Sequence, residues 1–557
     1  MQLRSGFWAV LWAGILSMTS FSEAYDRPAR TNSARSLVIA RRGMVCSSQT
    51  LASEAGVAVL RQGGNAFDAA VAVAAALNVV EPMSTGIGGD MFVLAWSAKE
   101  KRLVGLNGSG RSAKTATLDH FRKLGFDKIP TFGPHTVTVP GAFHGWATLL
   151  ETYGSLPLDK VLADAIHYAE EGFPVTEVIR EAWKGALRHK DIPEFAQNYL
   201  VRDGDGWRVP KLGEVVKQPD LARTFRTLAK EGADAFYRGD IARRIAEYLQ
   251  SKGSLIRLDD LQSHTSTWVS PVSTSFMGYE LHELPPNGQG IIALEILNIL
   301  EGYDLKSIGH NTTEYLHLFA EAKKLAFRDR DTYVTDLDRR KLPVETLISK
   351  DYAKKMRARI DPKRAQSYPK STLEIGPDTV YLSVVDGEGN AVSFINSIYY
   401  GFGSGLVVPG TGICLQNRGA LFSMQEDHLN RVEGAKRPLH TIIPAMVTKD
   451  GKPYFCYGVM GGDMQPQGHV QVLLNMLVFG MNPQEAGEAP RARESNGAIL
   501  LESGVPESVR AELRKLGHRI ESSPGGFGGY QGILIDRENG VLYGASDNRK
   551  DGCAIGY

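Results

Sequence analysis

The stretch Ala66 to Val80, AFDAAVAVAAALNVV, is apolar on nearly every face of a helix. A helix with no polar face must be covered all round by other elements or by lipid. It falls short of the ~20 residues that a spanning helix needs, so it is read as a helix buried in a soluble core. Glu81-Pro82 stops it, and Gly63-Gly64-Asn65 separates it from a preceding helix over Thr50 to Arg61. Beyond it, Gly86-Ile87-Gly88-Gly89-Asp90 turns into a strand over Met91 to Trp96. These glycines do not form GxGxxG after a strand, which disfavours dinucleotide binding. Close backbone packing near a site explains them better.

Such a helix needs a large core around it. The chain has 557 residues, 43% hydrophobic and 22% charged, with a formal net charge of +1. That describes a globular protein with no charge imbalance to attract nucleic acid or an anionic membrane. Cys46, Cys414, Cys456 and Cys553 are far apart and make neither a CxxC nor a zinc-type cluster; disulfides and buried free thiols both remain open. The first residues resemble a signal peptide, 1–24: Arg4, the apolar run Phe7 to Phe21, then Ser22-Glu23-Ala24. Export to a periplasm or the exterior is expected, with an uncleaved membrane anchor as the alternative. Residues 25–37 are polar and read as flexible. Asn311-Thr312-Thr313 fits a glycosylation sequon, relevant only in a eukaryotic secretory host.

The first half is mostly helical by apolar spacing: Leu158 to Glu170, Leu221 to Lys230, Asp240 to Ser251, Ile291 to Leu300 and Thr313 to Asp329. Arg257 to Gln262 and Pro271 to Leu284 read as loop and strand. A polar linker from Lys363 leads to Asp378-Thr379, where the character changes. Val380, Leu382 and Val384 alternate with Thr379, Tyr381, Ser383 and Val385 as in a strand. Hairpins are predicted to turn at Asp386 to Asn390, at Asp450-Gly451 and at Asp536 to Gly540, with helices near Gln467 to Leu477 and Pro506 to Leu516. Hairpin-paired strands with helices elsewhere predict an α+β protein with antiparallel sheets covered by helices.

Several of these segments carry a resemblance. Gly63-Gly64-Asn65-Ala66-Phe67-Asp68-Ala69-Ala70-Val71, Glu81-Pro82 and Gly86-Ile87-Gly88-Gly89-Asp90 are similar to the signature of the γ-glutamyltransferase (γ-glutamyltranspeptidase) family. So are Val139-Pro140-Gly141, Glu171 to Val175, Pro285 to Gly290, Glu321 to Arg330, Thr379 to Asp386, Gly458 to Gly462 and Gly544 to Tyr557. The resemblance covers roughly residues 38 to 557. It implies the four-layer αββα sandwich of N-terminal nucleophile hydrolases and self-cleavage between Asp378 and Thr379. The products would be a large subunit, 38–378, and a small one, 379–557, held as a heterodimer. A freed Thr379 carries both a hydroxyl and an α-amine of reference pKa about 7.7–8.0, a base within reach of its own nucleophile.

The resemblance also assigns roles. Gly461 and Gly462 would supply oxyanion N–H donors, and Ser397 would support the Thr379 hydroxyl. Arg111, in Asn107-Gly-Ser-Gly-Arg111, would clamp a substrate carboxylate, with His440 and Thr441 where members have a serine pair. Members hold the donor's α-ammonium with an asparagine, a glutamate or glutamine, and an aspartate; those positions here are Tyr399, Arg418 and Leu421. A cation at 418 opposes an ammonium and suits a carboxylate. The run Gly401 to Gly419 looks more like the acylase-like branch, which includes glutaryl-cephalosporin acylases and oxamate amidohydrolase. The expected function is amide hydrolysis or acyl transfer on γ-glutamyl or related acyl amides. Dicarboxylic monoamides without an amine are the alternative substrates, and an unprocessed binding protein the further alternative. The expected partner is a small-molecule amide, with no metal or organic cofactor and no stable membrane association.

Overall fold

The computed structural model describes residues 34–367, 378–523 and 525–557. The signal-peptide reading and most of segment 25–37 lie outside the described residues, as do residues 368–377 of the linker.

Two seven-stranded antiparallel sheets form the centre. The first runs in the order Cys553–Gly556, Met44–Ser47, Asp378–Val385, Ala391–Tyr399, Asp90–Ser97, Arg102–Gly108 and Thr267–Val269. The second runs Val38–Ala40, Val541–Ser546, Tyr530–Asp536, Lys452–Val459, Ala445–Lys449, Tyr279–Glu283 and Val272–Phe276. Three apolar clusters show the layering. Val380, Leu382, Val384, Val392 and Phe394 pack with helices Thr50–Arg61, Ala66–Val80 and Ala142–Tyr153. Tyr381, Val385, Ala391 and Ile395 meet Met446, Cys456 and Ile533 between the sheets. Val447, Phe455 and Val459 pack with helices Gly290–Leu300, Thr313–Tyr333 and Met464–Leu477. The molecule is thus an αββα sandwich, and the period of two in each strand splits its side chains between neighbouring layers.

Every residue of helix Ala66–Val80 is buried. Its lone carboxylate, Asp68, is satisfied locally. Asn65 N–H donates to Asp68 Oδ2 at 2.9 Å in a capping box, and Ser155 donates through both N–H and hydroxyl. Hydrogen bonding is what lets a carboxylate sit in such a core. The three predicted hairpins form, joining Asp378–Val385 to Ala391–Tyr399, Ala445–Lys449 to Lys452–Val459, and Tyr530–Asp536 to Val541–Ser546.

Three local expectations change. The helix predicted over Leu158 to Glu170 is two, Leu158–Val161 and Ala163–Glu171, meeting at Leu162. The predicted loop Arg257 to Gln262 contains helix Leu258–Gln262, whose entry is set by Arg257 N–H donating to Asp260 Oδ2 at 2.8 Å. The strand region Pro271 to Leu284 is a hairpin that turns at Met277 and Gly278, both with positive φ. The four cysteines are free thiols, three of them buried. Asn311 of the sequon donates its side-chain amide to Pro490 O at 2.8 Å.

Candidate active site

Thr379 lies on the inter-sheet face of its strand and is buried, at 2% exposure. Asp378 pairs with Tyr399 and Val380 with Asn396, so Ser397 and Ile398 together stand opposite Thr379. Such a bulge re-aims side chains. Here it brings the Thr379 hydroxyl to Ser397 Oγ at 3.2 Å. Ser397 Oγ also accepts from Tyr399 N–H at 2.9 Å and from Arg418 Nη2 at 3.0 Å. Arg418 Nη1 donates to Thr441 Oγ1 at 2.8 Å, and its guanidinium lies 4.5 Å from the Tyr399 ring centroid. Thr379, Ser397, Tyr399, Arg418 and Thr441 therefore form one buried cluster.

Arg418 is fully buried, makes no ion pair among the described residues, and its Nε has no hydrogen-bond partner there. Burial pushes its pKa down to about 10, so it remains a cation at neutral pH. Leu421, the neighbouring departure, is buried in the core of the second helical layer.

His440 adjoins this cluster. Ile442 N–H donates to His440 Nδ1 at 3.3 Å, which places the ring proton on Nε2, directed at Asp90 Oδ2 at 3.1 Å. Burial and the Arg418 charge outweigh the pull of Asp90 and lower the His440 pKa to about 4. Asp90 also accepts from Gly110 N–H, Gly141 N–H and the Gln416 amide. It pairs directly with Ser397 across the first sheet. The glycines before it serve close packing. A Cβ on Gly89 would stand 2.3 Å from Ser397 O, and one on Gly88 2.0 Å from Cys414 O.

Gly461 and Gly462 form the turn between strand Lys452–Val459 and helix Met464–Leu477, with φ of 115° and 59°. Neither N–H has an acceptor among the described residues. Gln289 Nε2 ties this turn to the cluster, donating to Gly462 O at 3.1 Å and to Thr441 O at 2.8 Å. Arg330 holds Gln289 Oε1 at 3.2 Å and pairs with Asp463. Gly461 also lines a cavity of about 680 Å³ walled by Glu502, Phe527, Arg549 and Lys550.

The side chain of Arg111 pairs instead with Asp338 at 3.0 Å and is partly exposed. Its neighbour Gly110 is tied to Asp90, so its backbone borders the site while its guanidinium is held by Asp338. Sequence reasoning assigned no role to Asp90, Gln289, Arg330 or Asp463. Gln289 and Arg330 fall in segments that carry the family resemblance, but no spacing rule connects them to Thr379.

Two antiparallel sheets packed face to face between helical layers are the fold of the class of N-terminal nucleophile hydrolases. Residues 52–557 match the family described as gamma-glutamyltranspeptidase. The glutathione hydrolase-like YwrD proenzyme of Bacillus subtilis is 41% identical over 532 residues, 93% of this chain and 99% of that one. The oxamate amidohydrolase proenzyme of Klebsiella pneumoniae is 37% identical over 537 residues, 93% and 99% of the two chains. The crystal structure of a cephalosporin acylase from Bacillus halodurans superposes with a TM-score of 0.89 at 42% identity, covering 96% of this chain and 98% of that one. The chain belongs to the γ-glutamyltranspeptidase family, and it is an amidohydrolase of that family.

Proposed function

We propose that the protein is an acylase that hydrolyses amides of small dicarboxylic acids lacking an α-amine, after cutting itself between Asp378 and Thr379. The observation that carries this reading is the buried, unpaired guanidinium of Arg418, one hydroxyl away from Thr379. A buried charge with no carboxylate in contact costs several kcal/mol; Asp90 attracts it from beyond ion-pair distance, and a substrate carboxylate in contact offsets the cost that remains. An α-ammonium meets a like charge instead. Two of the relatives are named proenzymes, which supports processing; the oxamate amidohydrolase supports a substrate without an α-amine, while the relative named glutathione hydrolase-like leaves the γ-glutamyl alternative to be tested.

In the mechanism, the α-amine of the freed Thr379 takes the Oγ1 proton as Oγ1 attacks the acyl carbon. The N–H groups of Gly461 and Gly462 receive the oxyanion. The C–N bond breaks, the departing amine takes the proton from the Thr379 ammonium, and an ester to Oγ1 remains. Water, deprotonated by the same amine, then releases the acid and restores Thr379. Arg111 adds a second carboxylate contact by exchanging Asp338 for the ligand, a cheap exchange because exposed ion pairs contribute only ~0–1 kcal/mol. Residues 1–24 would direct export. Among the described residues, no helix is long and apolar enough to cross a membrane.

The test is mass spectrometry and assay of wild type, Thr379→Ala and Arg418→Gln on glutaryl amides, oxamate and glutathione. Wild type is expected as two fragments joining at 378/379, and Thr379→Ala as one inactive chain. Arg418→Gln is expected to lower kcat/KM on the carboxylate-bearing acyl donors by roughly 10- to 100-fold, the worth of a charged hydrogen bond. Efficient glutathione turnover by wild type would overturn the amine-free assignment.

A further inference from the structure

We propose that His317, Glu321 and His518 form a binding site for one divalent transition-metal ion of the zinc class, outside the Thr379 cluster. His317 and Glu321 stand one turn apart on helix Thr313–Tyr333 and so share a face. His518 comes from the turn after helix Glu507–Lys515, 201 residues away in sequence from His317. All three are buried, and one donor atom from each lies within 4.8 Å of the others. His317 Nδ1 and His518 Nε2 face each other at 2.7 Å.

An imidazole–imidazole hydrogen bond does not account for the whole arrangement. His317 Nε2 faces Asp361 O at 2.8 Å. A carbonyl only accepts, so this contact puts the ring proton on Nε2 and leaves the Nδ1 lone pair aimed inward. Such outer contacts are how metal-binding histidines are oriented. Glu321 is arranged likewise. Its Oε1 accepts from Lys324 Nζ at 2.7 Å and from Gln366 N–H at 3.3 Å, while its Oε2 is buried and unpartnered. Lys324 engages only Oε1, so the buried Oε2 is left as a bare acceptor beside the two imidazoles, an arrangement that calls for a further partner. Two nitrogens and one carboxylate oxygen are the donor set of an open tetrahedral zinc site. Tetrahedral ligation at Zn–N of about 2.0–2.1 Å puts the two nitrogens roughly 3.3 Å apart, a small opening from 2.7 Å. His518, Lys324 and Gln366 also line a cavity of about 280 Å³, which gives a fourth ligand, water, a way in.

The placement has a consequence that rests on the processing reading. His317 and Glu321 precede the 378/379 bond and His518 follows it, so the ion would join the two fragments. It would also hold Asp361 to Gln366, the described chain that leads toward the cleavage point.

The test uses the full-length protein without an affinity tag, stripped with a chelator and then loaded with ZnCl2 or CoCl2. Elemental analysis after desalting is expected to find one zinc per chain. The cobalt form is expected to show the intense visible bands of a four-coordinate ion. His518→Asn and Glu321→Gln are each expected to weaken zinc retention about 10- to 100-fold. Wild type that keeps no zinc and shows only the spectrum of aqueous cobalt overturns the proposal, without reliance on any variant. Full retention in both variants overturns it as well. The readout is metal content and spectrum in whole chain or processed pair alike, so it fails independently of the catalytic reading.

Discussion

A guanidinium shut away from water needs partners, and Arg418 has two hydroxyls and an aromatic face in place of a carboxylate. Those contacts satisfy some N–H donors, and Asp90 attracts the charge without touching it, so no carboxylate is in contact with the guanidinium, which is the physical root of the specificity proposed above. His440 answers the same field in the opposite way, by staying neutral. Asp90, Arg418 and Arg437 surround it, and burial is the largest influence on its pKa of about 4. An unfolded histidine titrates near 6.5. Between those values the unfolded chain binds a proton that the native state does not, so this stabilisation is present above about pH 6.5 and is lost as pH falls toward 4. His440→Gln is therefore expected to flatten the pH dependence of unfolding free energy in that window by up to ~1.4 kcal/mol per pH unit. Urea unfolding of both proteins at pH 4.5, 5.5 and 7.5 measures this, and parallel curves would show that His440 is protonated in the fold. Thr379, Ser397, Arg418 and Thr441 could be singled out in the sequence, while the bond from Arg418 to Ser397 could not. It depends on the chain returning to the strand 21 residues further on.

At the scale of elements, the site depends on two strand ends that pack without side chains between them. Gly89 introduces strand Asp90–Ser97 directly against Ser397 O, where a Cβ would be 2.3 Å away. That atom belongs to backbone already committed to the sheet, so it cannot step aside. Gly89→Ala is expected to cost roughly 1–3 kcal/mol or more and to slow processing, because the two strands it would push apart carry Asp90 and Ser397 as facing partners. Thermal unfolding and the fraction of intact chain on a denaturing gel check this together; unchanged values in both would mean the strand ends have slack. The hairpins were legible because strand alternation and Asp/Gly/Asn turns are local signals. The split at Leu162 and the short helix Leu258–Gln262 were not, since packing sets the first and a single cap the second.

Across the whole molecule, the segments on either side of residue 378 do not make separate bodies. In the first sheet, strands Asp378–Val385 and Ala391–Tyr399 lie between Met44–Ser47 and Asp90–Ser97. In the second, strands Lys452–Val459 and Ala445–Lys449 continue into Tyr279–Glu283. Each segment alone would expose sheet edges and bare apolar faces. The cut protein is therefore expected to unfold in one calorimetric transition, and residues 379–557 expressed alone to stay unfolded. Two resolved transitions would show that the subunits hold separate cores.

The sequence by itself determined the class of layered fold, the buried helix Ala66–Val80, the hairpins and the kinship that singles out Thr379. Those follow from local periodicity, turn chemistry and contiguous motifs. Only the tertiary structure decided that Arg418 lies unpaired behind the Thr379 hydroxyl, that Arg111 turns to Asp338, and that His317, Glu321 and His518 meet. Each depends on distant segments brought within a few ångströms, where burial and charge act through space and leave no periodic trace along the chain.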